Sequence, residues 1–377
     1  MKLIDDTWYI IDDYAILMLI KTSEQDSYKD LMVQLKGNGE SLKETIETLR
    51  EIEQDVSIKN ALGIGYLRLR MFQEAYSSFQ EALNIVNSNE DRACILSNLS
   101  EVMWYQEKPE SARNYLEEAL KMEIEDPLKK LILQSNLEAM ELSNKDNYVH
   151  EIAVIKDLIK QERRIIGSNQ FVGIFNYKTL GYACYLTGNM KRCDYYINRA
   201  FDLNHKSYQY IFIDAGLYKI LSQMYSTVDL NKALDYVNEN IELLEKWQIG
   251  DHYDLLDLYQ LRGNIYLNLH QFKEHLAIKD YEYVLEQCLP YNDLAAVSYY
   301  NLAYAYDYLG DENRVIESYA RAYYIWNREG YEDSNQEIEE ALRKIYEKQI
   351  NKSDDYERWY QTQIIQAKED LRKMWGE

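Results

Sequence analysis

A short motif centred on a small residue recurs about every forty residues along this chain. Its second position falls at residues 63, 100, 138, 181, 221, 263 and 303, so successive copies lie 37 to 43 residues apart. The clearest copies are Leu62-Gly63, Leu99-Ser100, Leu180-Gly181, Arg262-Gly263 and Leu302-Ala303. A repeat of this length indicates stacked helix–turn–helix units rather than a single globular core. Such a chain presents a long surface, which favours binding over catalysis.

Each repeat has the pattern of two amphipathic helices. In residues 56–86, apolar side chains recur at helical spacing on both sides of a turn near Met71. They are Ile58, Leu62, Tyr66 and Leu69 in the first helix and Ala75, Phe79, Ala82 and Leu83 in the second. A glycine at position 63 costs a helix roughly 1 kcal/mol, which is tolerable where two helices cross closely.

The spacing of small and helix-breaking residues resembles the tetratricopeptide repeat. Counted from residue 56, small residues fall at repeat positions 8, 20 and 27. Gly188 and Gly310 fall at position 15, the turn between the two helices, and Pro127, Pro290 and Gly330 fall at position 35, the turn between repeats. The step is nearer forty than the 34 residues typical of the family. The resemblance implies an all-α fold, a right-handed superhelical solenoid of about seven tetratricopeptide-like helix pairs with helical caps.

Three regions follow from this register. Residues 1–55 are expected to form an N-terminal helical cap, residues 56–330 the repeat array, and residues 331–377 the C-terminal capping helices. Caps are expected because a terminal repeat otherwise exposes its apolar face to water.

Charge limits the class of partner. The chain has 42 lysines and arginines against 64 aspartates and glutamates, a net charge of −22. Nucleic acids and anionic membrane surfaces both require a basic footprint, so neither is an expected partner. The expected partner is a peptide or protein that is neutral or basic overall.

Cysteines and the first residues bear on location. The four cysteines have no metal-ligand spacing, which indicates reduced thiols in a cytoplasmic protein. Asp5 and Asp6 stand where a signal peptide carries positive charge, and the apolar run Tyr14–Ile20 is too short to span a bilayer.

No pattern of residues points to catalysis. The five histidines are scattered, and the chain has no zinc-protease helix motif, phosphate-binding glycine loop or nucleophile elbow. The sequence therefore predicts a protein that is not an enzyme, with no catalytic residue, no bound metal and no cofactor.

The resemblance implies that the first helix of each pair lines a concave groove. The groove residues that this register singles out are Asn60, Arg68, Asn98, Asn136, Lys178, Tyr182, Tyr225, Asn264, Asn301 and Tyr304. An asparagine amide can both donate to and accept from a peptide backbone, and a tyrosine ring can cover apolar side chains. The alternative left open is that these asparagines cap neighbouring helices or meet water. Asn98, Asn136 and Asn301 share repeat position 6, which favours the binding interpretation.

The repeat step and the groove asparagines are distantly similar to the Gram-positive Rap-type phosphatases and peptide-pheromone receptors, which serve quorum-sensing signalling. The carboxylate clamp of chaperone-binding members is missing, because Ile64 and Tyr182 stand where it needs asparagine. The leading hypothesis is a cytoplasmic scaffold that binds a peptide or protein segment in its groove. Two alternatives remain, a Rap-like peptide-gated regulator of a response regulator or transcription factor, and an assembly adaptor or immunity-type protein that neutralises a partner. Whether the chain forms a homodimer is left open.

Overall fold

Helix pairs make up almost the whole protein, as the repeat spacing predicts. The computed structural model describes residues 8–12, 15–21, 25–36, 39–106, 108–142, 148–167, 171–207, 211–246, 253–269, 273–288, 293–329, 332–348 and 355–376. Within these residues the secondary structure is helical except for one two-stranded sheet. The all-α helical-repeat fold predicted from the sequence is confirmed.

Seven helix pairs fill the described part of the predicted array. They are α3 (Val56–Arg68) with α4 (Phe72–Ile85), α5 (Asn89–Tyr105) with α6 (Pro109–Leu120), α7 (Pro127–Glu141) with α8 (Val149–Ile166), α9 (Phe171–Leu186) with α10 (Met190–Ser207), α11 (Ile211–Tyr225) with α12 (Leu230–Lys246), α13 (Tyr253–Asn268) with α14 (Glu274–Gln287), and α15 (Asp293–Leu309) with α16 (Glu312–Glu329). The two helices of a pair pack together in α3–α4, α5–α6, α7–α8, α9–α10, α13–α14 and α15–α16. The first helices also contact one another in series, α3 with α5, α5 with α7 and α7 with α9.

Three of the predicted turn residues, Gly188, Gly310 and Pro127, lie at turns between helices in the structure. Gly188 and Gly310 have φ angles of 69° and 72°, a left-handed conformation that side chains disfavour, and each follows the first helix of a pair. Pro127 is the first residue of α7, and the Asp126 carboxylate accepts the N–H of Leu128 as a helix cap. Pro290 and Gly330 lie outside the described residues.

The segment before the array contains a β-hairpin, where the sequence predicted a helical cap over residues 1–55. Strand β1 (Tyr9–Ile11) pairs antiparallel with β2 (Ile16–Met18), and helices α1 (Gln25–Gln34) and α2 (Gly39–Glu51) follow. Isoleucine and aromatic residues favour strands, and the Asp12 N–H closes the turn on the Ala15 carbonyl at 2.9 Å.

The C-terminal capping region predicted for residues 331–377 is helical where the structure describes it. Helices α17 (Glu332–Lys348) and α18 (Tyr356–Trp375) both pack on α16. Ile338, Leu342 and Leu371 have no exposed surface and join the core around α15 and α16.

The chain divides into two compact units. The first comprises Met1–Met224 with Lys246–Gln248, and the second comprises Tyr225–Glu245 with Ile249–Glu377. Tyrosine is prominent in the core of the second unit, which explains part of the high tyrosine content. Its largest buried aromatic side chains are Tyr281, Tyr299, Tyr306, Tyr319, Trp326 and Tyr360.

Small residues of the motif mark close helix crossings. A Cβ atom on Gly63 would lie 2.5 Å from Cε1 of Phe79, and one on Gly263 would lie 2.6 Å from Cε1 of Tyr281. Both distances are below any normal contact between carbon atoms. The glycines therefore allow a large ring from the second helix of the pair to pack directly on the backbone of the first.

Replacing Gly63 by alanine is expected to lower the free energy of unfolding. Alanine favours the helix by about 1 kcal/mol, but displacing the Phe79 ring costs about 1–3 kcal/mol, so we expect a net loss of up to about 2 kcal/mol. Urea denaturation measures the change. Ser77→Ala, at an exposed position of α4, is the control and should change stability by less than about 0.5 kcal/mol. A gain of about 1 kcal/mol in Gly63→Ala, the value expected at an uncrowded helix position, would contradict the close crossing.

Candidate functional site

Strand β2 lies across the inner face of the first unit, the surface formed by helices α3, α5 and α7. Asparagines on these three helices bind its backbone, and β2 packs on α5. The groove that the sequence predicts for a partner is therefore occupied, in this unit, by the chain's own N-terminal strand.

Two asparagines hold the peptide groups of Met18. Asn98 Oδ1 accepts the Met18 N–H at 2.9 Å, and Asn98 Nδ2 donates to the Met18 carbonyl at 2.9 Å. Asn60 Nδ2 donates to the same carbonyl at 2.9 Å. The two amides are also joined, because Asn98 Nδ2 donates to Asn60 Oδ1 at 2.9 Å. We call this arrangement the Asn60–Asn98 clamp.

The next inner helix repeats the same chemistry on Ile16. Asn136 Oδ1 accepts the Ile16 N–H at 2.8 Å, and its Nδ2 donates to the Ile16 carbonyl at 3.0 Å. Asn136 Nδ2 also donates to Ser97 Oγ at 3.1 Å. Successive helices thus hold alternate residues of the strand, and the strand runs from α7 toward α3, opposite to the order of the repeats.

The asparagines act as a substitute third strand. In an antiparallel pair, alternate residues direct their N–H and C=O groups to the partner strand or away from it. Leu19 donates to the Trp8 carbonyl, which places its amide on the β1 side. Ile16 and Met18 direct theirs away, to an edge that would otherwise be unpaired. The amides satisfy that edge without contacting the strand's side chains.

Burial shows how firmly the hairpin is packed. Ile16, Leu17 and Met18 have no exposed surface, and Asn60 and Asn98 have none either. A two-stranded hairpin is marginal by itself, so this one is stable because it packs on helices.

The Cys94 thiol, which contacts the hairpin, and the phenol of Tyr9 in strand β1 are both held neutral. Cys94 Sγ lies 3.9 Å from Met18 Sδ, and burial raises the pKa of the Cys94 thiol to about 12. Burial, followed by the charges of Asp126 and Glu90, raises the pKa of Tyr9, whose ring lies 5.2 Å from that of Phe171. These groups serve packing rather than reaction chemistry.

The other predicted groove residues of the first unit are Arg68, Lys178 and Tyr182. Arg68 donates a hydrogen bond to the Leu35 carbonyl at the end of α1, and burial lowers its pKa while Asp12 opposes that shift. Lys178 is buried on α9. Tyr182, also on α9, is half-buried with its ring 6.2 Å from that of Tyr185, and burial raises its pKa.

The remaining predicted residues belong to the second unit. Tyr225 ends α11, with its ring 5.6 Å from that of Tyr236 and 4.6 Å from the Lys232 amine. Asn264, Asn301 and Tyr304 lie on α13 and α15, and Tyr304 is 42% exposed. We call the surface of α13, α15 and α17 around them the second inner face.

Asn264 and Asn301 form a second asparagine pair. Asn301 Nδ2 donates to Asn264 Oδ1 at 2.9 Å, and the Tyr281 hydroxyl donates to the same oxygen at 2.6 Å. Asn301 has the repeat position of Asn98 and Asn136, whereas Asn264 lies one turn further along its helix than Asn60 does. Both side chains are partly exposed. Among the described residues, Asn301 Oδ1 and Asn264 Nδ2 have no hydrogen-bond partner.

Sequence reasoning missed Ile16 and Met18, the residues that the asparagines bind. A signal was present. Two short runs rich in isoleucine and aromatic residues flank Asp12 and Asp13, which is the pattern of a hairpin. The continuous apolar character of Ile16–Ile20 further indicates a strand buried on both faces.

The described part of the chain contains neither a metal-ligand cluster nor a membrane-spanning helix. There, no group of three or more histidine, cysteine, aspartate or glutamate side chains is placed to hold a metal ion. No described helix combines the length and apolarity that crossing a bilayer requires.

Comparisons with known proteins agree with the helical-repeat fold. Residues 55–123 match the tetratricopeptide repeat family. No curated protein matches the sequence. The structure is similar to that of a signal transduction ATPase with numerous domains that has a tetratricopeptide repeat sensor, from Pyrococcus horikoshii, with a TM-score of 0.51 and 19% identity. That alignment covers 79% of this chain but only 46% of the other protein.

A second similar structure is the C-terminal part of a tetratricopeptide repeat-containing protein from Cytophaga hutchinsonii. Its TM-score is 0.33 at 13% identity, over 69% of this chain and 95% of that one. The family match over residues 55–123, the helix pairs and the fold shared with the archaeal protein all indicate a helical-repeat fold. The chain is therefore an all-α helical-repeat protein in which residues 55–123 match the tetratricopeptide repeat family.

Proposed function

We propose that this protein is a non-enzymatic scaffold that binds an extended segment of another polypeptide on its second inner face. Tetratricopeptide repeats are protein-interaction modules, so a scaffold is the general expectation. The proposal adds the location of the site and the way in which it binds. It also places the partner away from the first inner face, where the asparagines are already bound to strand β2.

One observation carries the proposal. The Asn60–Asn98 clamp binds the N–H and the C=O of one residue in an extended strand, using Asn98 Oδ1 and two amide nitrogens. The Asn264–Asn301 pair has the same internal bond at the same 2.9 Å, and the corresponding oxygen and nitrogen, on partly exposed side chains, have no hydrogen-bond partner among the described residues. A bound strand would complete the same set of hydrogen bonds.

Backbone recognition explains why asparagine suits this role. An amide reads the peptide group and not the side chain, so it fixes the path of a segment while tolerating sequence variation. A signalling peptide bound by a peptide-gated regulator, or a segment of a toxin bound by a neutralising adaptor, would each be a special case of such binding.

Asn301→Ala is expected to weaken binding about five- to thirty-fold. The substitution removes one or two backbone hydrogen bonds, together about 1–2 kcal/mol. The ligand is obtained by selecting displayed random 12-residue peptides on the full-length protein, and its affinity is measured by titration calorimetry. Asn313→Ala, at an exposed position of α16, is the matched control and should bind as the wild type does. Selected peptides that bind Asn301→Ala as tightly as the wild type would refute the site.

A further inference from the structure

Three tyrosines converge beside the Asn264–Asn301 pair. The hydroxyls of Tyr300 and Tyr304 lie 3.0 Å apart, and their ring centroids are 5.2 Å apart. Tyr319 from α16 completes the cluster, with its ring 5.7 Å from that of Tyr300 and 6.2 Å from that of Tyr304. Tyr304 is three residues beyond Asn301 on α15, so both side chains lie on the same side of the helix.

Two carboxylates border this tyrosine cluster. Tyr300 donates to Glu337 Oε2 of α17 at 3.0 Å, and Asp307 lies three residues beyond Tyr304 on α15. Both acids are exposed, and in the described part of the chain neither forms an ion pair. Burial, then Tyr304 and Glu337, raise the pKa of Tyr300, so its hydroxyl stays a neutral donor. Aromatic faces beside unpaired carboxylates form a site for a cation.

The first unit indicates where a bound segment would meet this cluster. In that unit Asn98 of α5 binds Met18. Asn136 of α7, the next inner helix, binds Ile16, which is two residues earlier in the strand. Strands advance about 3.3 Å per residue, and alternate residues project the same way. In the second unit the following inner helix is α17, which carries Glu337. The residue two places before the one that Asn301 binds would therefore reach the tyrosines and Glu337.

We propose that the second inner face selects segments with a lysine or arginine two residues before the residue held by Asn301. The cationic side chain would lie against the rings of Tyr300 and Tyr304, with the carboxylates of Glu337 and Asp307 beside it. This inference rests on the proposed function, because it assumes that the backbone is bound by the Asn264–Asn301 pair. It adds the chemistry that distinguishes one extended segment from another.

The test uses fluorescent 11-residue peptide pools on the full-length protein. All pools are degenerate mixtures of alanine, serine, threonine and leucine, and they differ only at position 5, which is lysine, norleucine or glutamate. Norleucine matches the length of lysine without its charge. Fluorescence anisotropy should show the lysine pool binding about five- to ten-fold more tightly than the norleucine pool, and the glutamate pool binding most weakly.

Variants separate this site from the general acidity of the protein. The double variant Glu337→Gln, Asp307→Asn should bring the lysine pool to the level of the norleucine pool and leave norleucine binding within twofold. Asp235→Asn with Glu239→Gln, at exposed positions of α12, removes the same charge elsewhere and should preserve the lysine preference. An equal loss in both double variants would show a diffuse charge effect and overturn the inference.

Asn301→Ala distinguishes the two proposals. If it weakens the lysine and norleucine pools alike while the two pools bind the wild type equally, the backbone site stands and the cation site is wrong. If it changes neither pool, the proposed function fails, and the basic-residue inference fails with it.

Discussion

Deleting residues 1–21 is expected to destabilise the first unit strongly. The deletion removes both strands of the hairpin and exposes the apolar surface on α3, α5 and α7 that it covers. Leu17 is fully buried, and the single substitution Leu17→Ala should by itself cost about 2–5 kcal/mol. The deletion should lower the free energy of unfolding by more than about 4 kcal/mol, which corresponds to roughly 10 °C or more in melting temperature, or it should cause precipitation. Calorimetry and the yield of soluble protein measure it.

A control within the same segment keeps this expectation specific. Lys21 is exposed, and its amine lies 5.7 Å from the Trp8 ring, so Lys21→Ala should cost no more than about 1 kcal/mol. A deletion variant that melts like the wild type would show that the hairpin is a removable ligand rather than a structural part of the first unit. The first inner face would then itself be a candidate binding site.

Asn98→Ala is expected to lower stability by about 3–5 kcal/mol. The substitution removes the two hydrogen bonds to Met18 and the one to Asn60, and it leaves the buried Met18 N–H without an acceptor. Each lost bond costs about 0.5–1.5 kcal/mol, and a buried unpaired donor costs a further 1–3 kcal/mol. Urea denaturation measures the loss, with Asn198→Ala as the exposed control on α10.

Asn98 and Asn301 should behave differently although they share one repeat position. Asn98 is fully buried against strand β2, whereas Asn301 is partly exposed and its side chain forms one hydrogen bond within the described part of the chain. Asn98→Ala should therefore reduce folding stability, and Asn301→Ala should reduce binding with a loss of stability below about 1.5 kcal/mol. If Asn98→Ala and Asn301→Ala lowered stability equally, the assignment of Asn98 to an occupied site and of Asn301 to an open site would be contradicted.

The repeat pattern itself was readable from the sequence because it is local. Positions of Gly63, Gly188 and Gly310 follow from the packing of two adjacent helices and the turn between them, within about forty residues. The same periodicity placed Asn98, Asn136 and Asn301 at equivalent positions. Pattern recognition was therefore sufficient for the seven pairs and for an amide-lined inner face.

The hairpin was not predicted, because its strands are short and belong to no repeat. Three residues per strand give a weak propensity signal, and an apolar run of this length is compatible with a helix as well as a strand. Its stability comes from contacts with helices far along the chain. The Ile16 N–H meets an amide 120 residues away, and the Met18 N–H meets one 80 residues away.

Sequence alone established the repeat, the number of helix pairs and the chemical character of the inner face, because each depends on neighbours within one or two repeats. The occupancy of that face followed only from the three-dimensional structure. Asn60, Asn98 and Asn136 are satisfied by a distant strand, while Asn264 and Asn301 keep donor and acceptor atoms open among the described residues. The two sets look alike in sequence because an amide has the same hydrogen-bonding groups whether it is filled or free, and only the path of the whole chain decides which it is.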